Sequence, residues 1–509
     1  MVQTWANCAS IESRRVLVLA ILGSVCGVAA AQELEREDRS IIYLPGDRAQ
    51  RETLRPTRPV PTHPGPHLLM DDALIESSEN LQRVVRQPIR DPNIGNPIVR
   101  GEEDRCFQPY FTVSRNPETG RFRMWYGAWR EDRARTRSHL AYLESSDGVH
   151  WDRPTQILKD PGTLEFGSEV IDRGPDYPDP SKRYIYSYYH KGLSLAVSAD
   201  GITFRPLVDR AVLEHDHDIN NLSWDPLRNQ FVAIVSTITS HPDFRERRRT
   251  TMQSVSSDLL NWERPWYVLR ADDAFDEGGT QFYGLQGFLT RGPLRIGMVK
   301  VLRDDLHATE TEENSYGMGW TTLAWSRDGR SWVRDQTIFF GPDPSPKAWD
   351  HAHTWIDEQL VVGDQMYLYY GGYKQGHKMN RFSERQIGLV TMPLDRYVAR
   401  ASASDAEATL TTVPFQVNHP LAQICVNVDA TEGTLYTEVV RADTGKFYPG
   451  LGFDDCRPLR VNELRAQVNW GPATAETLRA LEGNRIRIRF RLTNGKLYSF
   501  DFLSAGPKP

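Results

Sequence analysis

The chain has 509 residues and a net charge of −6, with 39% hydrophobic and 25% charged residues. That length exceeds one ordinary core, so two or three domains are expected. The mild negative charge argues against a nucleic-acid or anionic-membrane partner that reads a basic stripe.

The N-terminus reads as a targeting segment, residues 1–31. Arg14 and Arg15 precede an apolar run from Val16 to Val28, which is short for a membrane span, and Ala29, Ala30 and Ala31 form a small-residue cleavage pattern before Gln32. Ser13-Arg14-Arg15-Val16-Leu17 also resembles a twin-arginine signal. Export to the periplasm or the medium is the expectation, with no membrane span once the signal is removed. Residues 32–66 are rich in Arg, Glu and Pro and read as a linker or an extended arm. Five cysteines occur; Cys8 and Cys26 fall in the signal. Cys425 and Cys456 share the C-terminal region, so a disulfide there and two unpaired thiols are both open.

From residue 67 a repeat sets the architecture. Ser145-Ser146-Asp147-Gly148, Ser198-Ala199-Asp200-Gly201, Ser256-Ser257-Asp258-Leu259 and Ser326-Arg327-Asp328-Gly329 are each followed three residues later by Trp151, Phe204, Trp262 and Trp332. Asp accepts backbone N–H bonds in a tight turn and Gly supplies positive φ. Strand-like runs lie upstream of each turn, and a fifth run is Gln365-Met366-Tyr367-Leu368-Tyr369-Tyr370. The predicted fold is all-β, a five-bladed β-propeller over residues 67–400. Residues 401–408 read as a linker. The strict alternation of Arg485-Ile486-Arg487-Ile488-Arg489-Phe490-Arg491-Leu492, with an Asn494-Gly495 hairpin turn, predicts a small C-terminal β-sandwich over residues 401–509.

These residues resemble the five-bladed propeller proteins related to glycoside hydrolase families 32 and 43, and more narrowly a group of exported, planctomycete-type glycosidase-like proteins. The resemblance rests on His67-Leu68-Leu69-Met70-Asp71-Asp72-Ala73-Leu74-Ile75-Glu76, Arg123-Met124-Trp125-Tyr126, the Ser-x-Asp-Gly turns, Asn221-Leu222-Ser223-Trp224-Asp225-Pro226, Phe282-Tyr283-Gly284-Leu285, Leu368-Tyr369-Tyr370-Gly371-Gly372 and Gly495-Lys496-Leu497-Tyr498-Ser499-Phe500. It implies a carbohydrate substrate and acidic residues on the first three blades. Phe107-Gln108-Pro109-Tyr110 stands where those hydrolases carry their first-blade Asp, which departs from the pattern.

In a propeller the starts of the innermost strands meet at one mouth of the axis. Glycoside hydrolysis needs a carboxylic acid and a carboxylate. Asp218 and Glu169 are the expected acid/base pair, with Asp104 as a third and Asp350 positioning or tuning them. Asn221, Gln281, Tyr283, Trp349 and Tyr370 are expected at the sugar. His215-x-His217 and His351-x-His353 put two ring pairs on strand faces, where they could hold an axial divalent ion, calcium or zinc. Glycoside hydrolysis is the leading reading; a non-catalytic carbohydrate-binding propeller and a metal-dependent enzyme are its rivals.

Overall fold

The computed structural model describes residues 55–505, apart from 132, 134–136, 310–314, 404 and 472–473. The proposed signal, most of the arm, Cys8 and Cys26 lie outside the described residues.

Most of the chain is organised as antiparallel sheets arranged radially. The first runs Cys106–Arg115, Phe122–Ala128, His139–Ser145 and Gln156–Ile157. The second runs Phe166–Asp172, Tyr184–Tyr189, Leu193–Ser198 and Arg205–Pro206. The third runs Asn220–Asp225, Gln230–His241, Phe244–Ser256 and Trp266–Leu269. The fourth runs Thr280–Arg291, Leu294–His307, Tyr316–Ser326 and Val333–Phe340. The fifth runs His353–Val362, Gln365–Tyr373 and Gln386–Pro393, and touches the fourth sheet through the single pair Gly319 and His353. Each inner strand packs on the next, and the fifth returns to the first. The result is a β-propeller, and we read this ring as five blades. Backbone bridges from Ile89 to Thr391 and from Val99 to Ile387 add an upstream segment to the outer edge of the fifth sheet.

The repeated turns stitch neighbouring sheets together. Ser145 Oγ accepts the Gly148 N–H at 2.8 Å, and Asp147 Oδ1 accepts those of Val149 and His150, each at 2.8 Å. Gly148 has φ +77°, and a Cβ there would stand 2.5 Å from the Tyr369 hydroxyl, which donates to the Gly148 carbonyl at 2.9 Å. Trp125 Nε1 does the same to the Gly201 carbonyl at 2.7 Å, and Gln253 to that of Gly329 at 2.6 Å. Trp151, Phe204 and Trp332 are buried between sheets.

Two further sheets share a separate apolar core, which we read as a β-sandwich. One contains Ala408–Thr412, Phe415–Gln416, Thr434–Arg441 and Arg485–Thr493; the other contains Val398–Ser402, Leu421–Asp429, Asn462–Gln467 and Lys496–Ser504. Phe415, Ile488 and Phe490 meet Val426, Phe500 and Phe502 between them.

Two expectations change here. First, the boundaries at 66 and 400 do not match the strand pairing. Val60–Pro61 and Ile75–Glu79 join the first of these two sheets, while His67–Leu68 and Leu81–Val85 join the second. These short runs lack enough neighbours to form a sheet alone, so they complete one whose other strands lie far along the chain. Second, Asn494-Gly495 is not a hairpin within one sheet. Arg485–Thr493 and Lys496–Ser504 lie in different sheets, so the turn carries the chain across the core. Of the two options left open for Cys425 and Cys456, the structure has the unpaired one: they and Cys106 are buried free thiols. Cys456 Sγ instead accepts the Thr437 N–H at 3.4 Å.

Candidate functional site

The five inner strands bring a charged cluster to the axis. Glu169, on the second inner strand, accepts a hydrogen bond from Asn221 Nδ2 at 2.7 Å, and the Thr112 hydroxyl of the first inner strand also bonds it. Asp357 and Glu358 approach from the fifth. A register shift between Ile356 and Glu358 lets two consecutive acidic residues oppose one step of the partner strand. Lys300 forms an ion pair with Asp357, both fully buried. Its ammonium lies 4.8 Å from the Tyr110 ring centre and 5.7 Å from that of Trp355. Lys300 pairs in register with Gly284, an inner-strand residue with no side chain.

The electrostatics follow from three neighbouring carboxyls, two of which, Asp357 and Glu169, act on the one buried ammonium. Burial, then the charges of Glu358 and Asp357, hold the Glu169 carboxyl well above the usual range. Burial lifts Asp357 to about 7 and Glu358 to about 8. Lys300 is lowered by burial, against the pull of Asp357 and Glu169. Glu169 is therefore a carboxyl that holds its proton to higher pH than an ordinary glutamate.

A second group lies beside it. Tyr110, Tyr283, Trp355 and Tyr373 form one buried cluster with Ile219 and Leu302. The Tyr283 ring stacks on Trp355 with centres 4.7 Å apart. Its hydroxyl meets His377 Nε2 at 3.2 Å, and His377 Nδ1 faces Asp304 Oδ1 at 3.6 Å. Asp304 Oδ2 accepts from Gln281 Nε2 at 2.9 Å and Arg249 Nη1 at 3.4 Å. Burial pushes His377 down to about 3, so it is a neutral acceptor for the tyrosine hydroxyl. Asp218 is partly exposed close by; its charge raises both Tyr110 and Tyr283.

Of the residues expected from sequence, Glu169, Asn221, Asp218, Gln281 and Tyr283 fall in these groups. Asp104 does not. It is buried against Arg153, whose Nε and Nη2 donate to it at 3.0 and 2.8 Å, and it accepts the Arg100 N–H at 2.8 Å. With its lone pairs filled by fixed donors it anchors a loop, and it is withdrawn as a catalytic residue. Asp104→Asn is expected to lower stability by about 2 kcal/mol, the scale of hydrogen bonds to a charged group, without changing sugar binding; paired thermal melts and binding curves check this. Asp350 is likewise structural: Oδ2 accepts from Arg90 Nη2 and the Tyr370 hydroxyl, both at 3.0 Å. That bond pins the upstream segment to the fifth sheet. Trp349 stacks on Tyr370 at 5.3 Å within an apolar cluster between sheets, so both are packing residues.

The histidine pairs are not gathered into a metal centre. His351 meets the carbonyls of Asp343 and Ala308 at 2.8 and 3.2 Å. His353 is buried among Trp355, Tyr373 and His377, and His215 packs on Tyr189. His217 bonds Ser236 Oγ at 2.6 Å. Among the described residues no three His, Cys, Asp or Glu side chains are placed to share an ion. The i, i+2 spacing held, but the pairs come from loop ends and interior packing positions at different places around the ring.

Sequence reasoning missed Lys300, Asp304, Asp357, Glu358 and His377. A signal existed for three of them: a lone Lys in Ile296-Gly297-Met298-Val299-Lys300-Val301-Leu302, and adjacent acids inside Trp355-Ile356-Asp357-Glu358-Gln359-Leu360. A charge that interrupts a buried strand needs a partner.

No family model and no curated protein matches the chain. Solved structures do. A glycosyl hydrolase from Bacteroides ovatus is 14% identical, with a TM-score of 0.41, over 63% of this chain and 96% of that one. A glycoside hydrolase family 43 arabinoxylan arabinofuranohydrolase from Bacillus subtilis, in complex with cellotetraose, is 9% identical, with a TM-score of 0.35, over 80% and 99%. A GH32 beta-fructofuranosidase from Bombyx mori is 12% identical, with a TM-score of 0.36, over 78% and 95%. Among the described residues no helix is long and apolar enough to cross a membrane.

Proposed function

We propose that this chain is an exported enzyme that hydrolyses a glycosidic bond in a poly- or oligosaccharide at the propeller axis. The observation that carries the reading is Glu169, a partly buried axial carboxyl that accepts a hydrogen bond from Asn221 and whose affinity for its proton is raised by its surroundings. Such a group protonates a leaving oxygen. Asp218, at the tyrosine-lined mouth, is the proposed carboxylate partner, acting as base or nucleophile.

The test is a screen of purified mature protein against plant and algal polysaccharides and aryl glycosides, wild type beside Asp218→Asn. Sugar release that falls at least a hundredfold in the variant is the expected result. Retention on one polysaccharide without any release overturns hydrolysis and leaves a carbohydrate-binding propeller.

A further inference from the structure

The mouth beside Tyr283 is ringed by cations although the chain as a whole is acidic, with a net charge of −6. Four basic residues contribute: Arg249 from the third sheet, and Lys378, Arg381 and Arg385 from the loop of residues 374–385. That loop is tied down. The His377 N–H donates to the Tyr316 carbonyl at 3.0 Å, Phe382 stacks on Phe107 at 5.2 Å, and a Cβ on Gly376 would stand 2.7 Å from the Ser315 carbonyl oxygen.

Arg385 is 6% exposed. Its terminal nitrogens reach only carbonyls, those of His377 at 2.8 Å and Phe107 at 3.4 Å, and its Nε has no hydrogen-bond acceptor. The guanidinium lies 4.7 Å from the centre of the Tyr373 ring. Arg249 lies 5.2 Å from the Tyr283 ring centre, and its Nε is also buried without an acceptor. Among the described residues no carboxylate comes within ion-pair distance of Lys378, Arg381 or Arg385. The nearby acids are otherwise engaged: Asp304 with Arg249 and Gln281, Asp218 with His217, and Glu384 with Asn380. The crowding is felt by the cations themselves. Burial and then the Arg385 charge lower Arg381, and burial and then Arg381 lower Lys378. Buried donors without acceptors beside unpaired cations are costly unless an anion completes them.

We propose that this mouth is a subsite for the acidic group of a charged glycan, a uronate carboxylate or a sugar sulfate, held by Arg249, Lys378, Arg381 and Arg385. The planar guanidinium forks suit both oxyanions. This places the acidic residue of the substrate next to the axial carboxyls, and it rests on the reading of that site as a sugar site.

The experiment measures binding of wild type, Arg381→Gln and Glu169→Gln to four probes: polygalacturonate, its carboxyl-reduced form, a carrageenan and its desulfated form. The expected result is binding to one acidic probe, weakened by salt, lost in its neutral counterpart, and weakened roughly tenfold or more by Arg381→Gln. The carboxyl-reduced and desulfated arms say which acid is read. Equal binding of charged and neutral forms, no binding of either acidic probe, or binding unmoved by Arg381→Gln overturns the subsite. Release of neutral sugars that survives Arg381→Gln sinks the subsite and leaves hydrolysis standing. Arg381-dependent binding of an acidic probe with no release from any substrate sinks hydrolysis and leaves the subsite standing.

Discussion

Lys300→Met is expected to lower the stability of the folded chain by about 3–5 kcal/mol, the cost of stranding one partner of a buried ion pair. Lys300 and Asp357 are both wholly buried and form an ion pair with each other. Without the ammonium, the buried Asp357 faces Glu169 and Glu358 with no cation among them. The double variant Lys300→Met with Asp357→Leu removes both charges and should recover much of the loss, because burying apolar atoms in place of a pair is close to neutral. Denaturant midpoints at constant slope measure both effects. A single variant within 1 kcal/mol of wild type, or a double variant worse than the single, contradicts the account of the pair given above.

Glu169→Gln is expected to cut turnover by about 10²–10⁴, the usual contribution of a positioned general acid. Sugar binding should persist, since the amide keeps the shape and the contact to Asn221. The pH dependence gives a sharper reading. The active form of a general acid is protonated. Glu169 has a raised value, so that form is present throughout the acid range and is lost as pH rises through the raised value. Wild type should therefore keep its activity well above the pH at which an ordinary glutamate has ionised, and then fall on the alkaline side. Glu358→Gln removes one of the charges that raise Glu169 and should move that alkaline limb to lower pH. Profiles of kcat/KM for wild type and Glu358→Gln measure it. A limb that stays fixed, or one that moves upward, excludes Glu169 as the acid.

The propeller was legible in the sequence because its signal is local. Each Ser-x-Asp-Gly turn is specified within a few residues, by Asp accepting neighbouring N–H groups and Gly reaching φ near +75°. The site was legible only where a polar residue opens an inner strand, as at Asn221, Gln281 and Tyr283. Asp104 and Asp350 occupy equivalent places, yet Arg153 and Arg90 claim them, and those arginines come from elsewhere in the chain. Lys300 comes from the second strand of its sheet, a position that normally packs between blades; it reaches the axis opposite Gly284. His377 arrives on a loop whose path is set by contacts with the neighbouring sheet. Spacing along the chain carries no information about such meetings.

The pairing of Ile75–Glu79 and Leu81–Val85 with strands near the opposite end of the chain has a consequence for how the molecule is made. The propeller is an insertion between two halves of one small body. As the chain is synthesised, these early strands emerge with unpaired edges and wait until the whole ring has followed before their partners exist. Contacts this distant along the chain close slowly. The last strands therefore act as a latch: a chain cut short before them retains every axial residue and yet leaves its leading strands open to pair with a second copy.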